Sequence, residues 1–346
     1  MPTRAMSSPR SVSPRALAII AGDPCGIGPE VILKALRAAT LWSVRVIVIG
    51  DWRVFRETAA RLRLRTPDWL RVAQGAVLPS ARVSFLDVAY RATFRLGHSS
   101  AAAGAASMRY LETALELWRR GLVQGVVTAP VTKWAIQRTL PSFEGQTEWL
   151  ASRLRSAWPV MTFVSPTLRV VLLTRHLALR DVPRAVTPRL IEQTIRVVID
   201  GLRRDFGVRR PRLALCGLNP HAGEAGRFGD EERRILRPVL RRLSKDTVRL
   251  DGPFAADGLF PTLFGAARAS TVQPYDAVIC WYHDQGLIPF KMVARDHGCQ
   301  MTMGLPLVRT SPVHGSALDI AARGVAHPGS MRAAIELAAT LVTRQA

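Results

Sequence analysis

Short apolar runs bounded by turn residues alternate with longer stretches of helical periodicity along most of this chain. A run of about four to eight apolar residues between turn residues reads as a buried strand. The pattern predicts strands at 16–21, 44–50, 123–128, 168–174, 213–216 and 277–281. It predicts helices at 31–38, 107–120, 187–206, 231–243 and 331–343, with Pro29 suited to the first helical position of the first. Strand–helix alternation of this kind predicts an α/β architecture with mostly parallel pairing. No internal repeat and no low-complexity linker interrupts it.

Length adds a division. At 346 residues, two domains are expected, with a change near Pro141. No apolar run approaches membrane-span length, so a soluble protein with no membrane partner is expected. Residues 1–15 are rich in Ser, Pro and Arg and lack the apolar core of a secretory signal; they read as a disordered tail. Cys25, Cys216, Cys280 and Cys299 form no CxxC pair. That pattern suits a reducing cytoplasm and argues against a thiolate zinc site.

The formal net charge of +22 raises nucleic acid as a partner. The basic residues are spread along the chain and not interleaved with aromatics, so no nucleic-acid partner is expected. A remote alternative is a basic nucleic-acid-binding protein on an old enzyme fold, which steep salt dependence without turnover would mark. A basic field also attracts small anionic substrates. Nearly all the positive charge is Arg; the lysines are Lys34, Lys133, Lys245 and Lys291. Lys133 and Lys291 follow strand-end turns, where a compact ammonium has a use; Lys34 and Lys245 read as solvated surface lysines.

Candidate chemistry gathers behind the strands. His176, His221 and His283 each stand just past an apolar run. Ligands of mostly parallel sheets bind outside the carboxyl ends of the strands. Three imidazoles delivered there suit one divalent metal with positions left for substrate. Placement alone leaves open whether they share an ion or stand in unrelated loops. Asp284 beside His283 can orient that ring or take a proton. Asp257 is a lone carboxylate amid small residues, otherwise a helix N-cap, and Thr147 is a substrate hydroxyl or a cap. Arg309 is a fork for phosphate or carboxylate, ahead of a tight loop from His314 through Gly315 to Asp319. The turn at 22–30 lacks the GxGxxG spacing of a dinucleotide fingerprint.

Taken together, the segments GDPCGIGPE (22–30), TAPVTK (128–133), GQTEWLA (145–151), TRHLALRDV (174–182), LNPHAGEAGRFGDEE (218–232), GPFAADGLF (252–260), YHDQGLIPFK (282–291) and GLPLVRTSPVHGSALDIAARG (304–324) resemble the NAD-dependent 4-hydroxythreonine-4-phosphate dehydrogenases of vitamin B6 biosynthesis. GDPCGIGPE and PVHGSALDIA are also similar to segments of isopropylmalate and isocitrate dehydrogenases. The resemblance implies an isocitrate/isopropylmalate dehydrogenase-like fold of two α/β domains with a cleft between them. The first domain would comprise 16–140 and 312–346, the second 141–311. It implies a homodimer that completes each active site, one divalent ion (Zn, Mg or Co) on His176, His221 and His283, and substrate contacts from Thr147, Lys291 and Arg309. The His314–Gly315–Asp319 loop would lie on the cofactor, and a carboxylate at Asp319 favours NAD over NADP. Asp257 or Asp284 would take the alcohol proton while Lys291 stabilises charge, giving a 3-oxo acid that loses carbon dioxide.

The chain departs from that family at particular places. Gln146 stands where the family usually has His, Gly258 where it has Thr, and Gln300 where it has Asn. Gln146 and Gln300 fall on the substrate side, so Gln146 is expected to tune which anion fits. Related dehydrogenases act on D-erythronate or D-threonate 4-phosphate, or on a cis-dihydrodiol from terephthalate.

Overall fold

The strands are β1 Ala16–Ile20, β2 Arg45–Gly50, β3 Leu70–Ala73, β4 Val83–Asp87, β5 Gly125–Thr128, β6 Val160–Val164, β7 Arg169–Leu172, β8 Arg212–Cys216, β9 Arg249–Phe254, β10 Ala277–Cys280, β11 Cys299–Met303 and β12 Val308–Pro312. They come from a computed structural model that describes residues 15–37, 44–65, 67–244, 247–268, 273–321 and 323–345. Most of the expected N-terminal tail, Ala38 and Lys245 therefore lie outside the described residues. The strands form one sheet in the order β3-β4-β2-β1-β5-β12-β11-β6-β7-β10-β8-β9. Pairing is parallel except at β12–β11, β11–β6 and β6–β7.

The antiparallel stretch lies at the middle of the sheet. β12 is its seam, parallel to β5 on one side and antiparallel to β11 on the other. One flank is built from β1–β5 and the other from β6–β10, so sequence-distant segments meet at the seam. Strands such as β1, β5 and β10 are buried along their whole length, as parallel strands covered by helices require.

The helices follow the periodicity with local corrections. Pro188–Phe206 begins with Pro after Thr187, whose hydroxyl accepts the Leu190 N–H, and ends at Gly207 in the left-handed region. Both ends therefore carry their expected stop signals. The predicted helix at 107–120 starts earlier, at Ala101, because Ser100 caps it. The stretch at 231–243 opens with a π-helical turn, Glu232–Leu236, before the α-helix Arg237–Leu243. Lys34 is not a free surface lysine: its ammonium donates to Glu30, to the Gly324 carbonyl and to the Ala326 carbonyl. It thereby ties the first helix, Gly28–Arg37, to the segment before the last, Gly329–Arg344. No described helix is long and apolar enough to cross a membrane.

Candidate active site

Two neighbouring clefts open beyond the carboxyl ends of the strands. The first, of about 330 Å³, is lined by Gln146, Thr147, His176, His283, Lys291, Gln300, Arg309, His314 and Gly315 among others. The second, of about 560 Å³, is lined by His221, Asp257 and Asp284 among others. They adjoin where His283 faces one and Asp284 the other.

Arg309 forms the floor of the first cleft. It stands on β12, 4% exposed, and makes no ion pair with any described carboxylate. Its guanidinium donates to Thr147 and Thr302 through one nitrogen and to Thr128 and the Gln146 side-chain oxygen through another. Its Nε has no partner. Burial pulls its pKa down to about 10. A desolvated cation whose hydrogen-bond partners are all neutral, with only the unbonded charge of Glu148 to favour it, is costly, and an incoming anion offsets that cost. Gln146 and Thr147 reach it because Gly145 delivers the short helix Gln146–Arg153 against β5 and β12. Thr147 therefore sits inside the helix and accepts from Arg309; it is not a cap. Gln146 is spent at both ends, accepting from Arg309 and donating to the Ala129 carbonyl. Beside it, Ser311 donates to Gln300, which donates to Thr302.

Above this floor the rings of His176 and His283 have centroids 5.9 Å apart. An ion sits about 2 Å from an imidazole nitrogen and so about 3 Å from the ring centre, which puts two rings on one ion roughly 5–6 Å apart. The pair fits. Partial desolvation, then the charges of Lys133 and His283, hold His176 below the usual imidazole range, favouring the neutral, ligating form. His283 Nδ1 lies 2.7 Å from Asp284 Oδ1. With a carboxylate as acceptor, Nδ1 carries the proton and Nε2 is left to coordinate. Within one chain the described residues bring no third His, Cys, Asp or Glu to complete a metal site. His221 lines the second cleft with Asp257, which lies in the first turn of the helix Ala256–Arg268 and is not its N-cap.

The cleft wall joins three sequence motifs. The Gly26 N–H donates to Asp23, and the Ile27 N–H donates to the Ser316 carbonyl. Asp23 N–H donates to the Pro130 carbonyl, and Thr132 bonds Ser316. Gly22 (φ +70°) is needed here because a Cβ would lie 2.3 Å from the Pro130 oxygen. His314 is held low in pKa by burial, and its Nε2 is without a partner. Asp319 is exposed and lies outside the cleft lining.

Lys133, singled out as a strand-end ammonium, lines the first cleft, as do two residues that the sequence pattern did not mark, Ser311 and Glu148, the last 2.8 Å from Arg175. That ion pair is poorly aligned, since the Arg175 nitrogen concerned has no hydrogen bond. The scarcity of lysine was the available signal for Lys133.

Residues 43–338 match the family profile described as "Pyridoxal phosphate biosynthetic protein PdxA". A 4-hydroxythreonine-4-phosphate dehydrogenase from Erythrobacter litoralis is 40% identical over 340 residues, covering 96% of this chain and 98% of the relative. The crystal structure of a 4-hydroxythreonine-4-phosphate dehydrogenase from Klebsiella pneumoniae superposes with a TM-score of 0.80 at 34% identity, covering 97% of this chain and all of that one. A terephthalate 1,2-cis-dihydrodiol dehydrogenase from Burkholderia xenovorans is less similar, with a TM-score of 0.61 at 30% identity, covering 94% of this chain and 98% of that one.

Proposed function

The chain belongs to the PdxA family, and from that premise we propose that it is a 4-hydroxythreonine-4-phosphate dehydrogenase, an NAD-linked oxidoreductase of pyridoxal phosphate biosynthesis. The observation that carries the reading is a buried guanidinium with no ion-pair partner among the described residues, in one cleft with two paired imidazoles.

Arg309 takes the phosphate end of the substrate, with Thr147 beside it and Lys291 from the rim. Gln146 and Gln300 fix the polar floor on which that anion rests. His176, His283 and His221 would hold a divalent ion (Zn, Mg or Co), which would supply positive charge favouring ionisation of the substrate hydroxyl. His314 and Gly315, with Asp319 further along the same loop, would hold NAD, which would supply the hydride acceptor. Asp284 fixes the His283 tautomer, and Asp257 accepts the hydroxyl proton. The resulting 3-oxo acid loses carbon dioxide.

His221 joins the other two imidazoles from a second copy of the chain, in a homodimer. Support comes from apolar side chains exposed beside each histidine: Leu177 and Leu179 after His176, Phe228 after His221, and Ile288 and Met292 after His283. Exposed apolar clusters of this kind mark contact surfaces. Free buried cysteines accord with a reducing cytoplasm.

The test is NAD reduction measured against 4-phosphooxythreonine, D-erythronate 4-phosphate and the terephthalate cis-dihydrodiol. Turnover is expected to be highest with the first, lost on chelation and restored by Zn, Mg or Co. Preference for the dihydrodiol, or full turnover in chelator, overturns the reading.

A further inference from the structure

We propose that Glu232 is a positioning residue that templates the left-handed loop carrying His221, and so sets the affinity of the metal site; this rests on the metal reading above. The loop is unusual. His221, Ala222, Gly223, Glu224 and Ala225 all have positive φ, between +39° and +84°, and only one of them is glycine. Each non-glycine residue in that region costs of order 1 kcal/mol, so a run of four persists only where its surroundings over-determine it.

Glu232 supplies that determination. It is 2% exposed and lies ten or so residues downstream, in the first turn of the π-helical stretch Glu232–Leu236. One carboxylate oxygen accepts the Asn219 backbone N–H at 2.7 Å, and the other accepts the Asn219 side-chain N–H at 3.0 Å. Asn219 Nδ2 also donates to Glu231 at 2.7 Å, which holds the Glu231 carboxyl below its usual range. Asn219 is thus gripped through backbone and side chain at the entry to the loop, and its carbonyl accepts from the Ala222 N–H.

Three glycines make room for the grip. A Cβ at Gly217 would lie 3.0 Å from one Glu232 oxygen, and one at Gly223 would lie 2.8 Å from the other. A Cβ at Gly229 would lie 2.3 Å from the Asn219 amide nitrogen. The spacing of Gly217, Asn219, Gly223, Gly229 and Glu232 is therefore that of one carboxylate nest. The π-helical turn puts the Glu232 carboxylate at the loop entry, two residues before His221. Glu232 makes no contact with the imidazole; it acts through the backbone.

Glu232→Gln tests this. The amide oxygen can still accept one N–H, but its NH₂ then faces the Asn219 NH₂, donor against donor. Two readouts are taken on the full chain: amide hydrogen exchange of residues 219–226, and the dissociation constant for Co²⁺ in the metal-stripped protein. E232Q is expected to speed exchange in that loop while the helix Pro188–Phe206 keeps its protection. It is expected to weaken Co²⁺ binding about 10–100-fold, as loss of a ligand's supporting contacts does. The triple variant N219D/E231Q/E232Q, which also replaces the second carboxylate facing position 219, restores the donor–acceptor match and is expected to recover much of both. Unchanged loop exchange and Co²⁺ affinity in E232Q overturn the proposal, as does loss of protection throughout the molecule, which would make Glu232 a general structural residue. If wild type takes up no Co²⁺, the metal reading falls, while loop exchange still decides the template.

Discussion

Arg309 is buried with no carboxylate bonded to it, and burial lowers its pKa to about 10 although the charge of Glu148 acts to raise it. The four donors on its two terminal nitrogens reach Thr128, Thr147, Thr302 and Gln146 at once, and an ammonium cannot span them. Arg309→Lys is expected to raise KM for the phosphorylated substrate about tenfold to hundredfold, the equivalent of a charge-assisted contact of about 1.5–3 kcal/mol. Steady-state kinetics check it, and an unchanged KM would show that the anion rests elsewhere. At this scale the sequence was informative where residue type dictates chemistry. Arg309, Thr147, His176 and His283 were nameable from strand-end position and motif, and they share one cleft. Gln146 was legible only as a departure. That its amide is consumed by Arg309 and Ala129 depends on how a helix start meets two strands, which no local pattern encodes.

Among elements, periodicity located most helices and strands, because apolar faces and caps are local properties. The long helix Pro188–Phe206 was readable to within a residue from Thr187, Pro188 and Gly207. The left-handed run at His221 was not, since its conformation is imposed by a carboxylate from another element. Lys34 was misread for the same reason: its partners are carbonyls about 290 residues away. Those contacts make a stability prediction. Glu30 is 1% exposed, and one of its oxygens has no partner even with Lys34 present. Lys34→Met would leave that carboxylate buried without a counter-charge, its one remaining hydrogen bond coming from the Ala326 N–H. The variant is expected to lose about 3 kcal/mol in denaturant unfolding at neutral pH, the scale of breaking a buried pair. A loss under about 0.5 kcal/mol, typical of a surface change, would contradict it.

For the whole molecule, strand–helix alternation was enough for an α/β fold with mainly parallel pairing. It did not reveal that β12, β11, β6 and β7 run antiparallel through the centre of one continuous sheet, because strand adjacency is a long-range property. This architecture sets β7, which leads to His176, next to β10, which leads to His283. β8, which leads to His221, lies on the other side of β10. His221 nonetheless opens into the adjoining cleft, beside apolar surface that one chain leaves uncovered. The central claim is that the three imidazoles hold one ion across two copies. The most direct measurement co-purifies differently tagged His176→Ala and His221→Ala chains and assays metal-dependent NAD reduction of the mixed dimer. If the site is shared, each mixed dimer has one intact ligand set of two, and the doubly tagged dimer is expected to return about half of wild-type activity from two inactive parents. If mixing restores nothing while both parents stay folded and dimeric, the imidazoles do not work across two chains, and the account is contradicted.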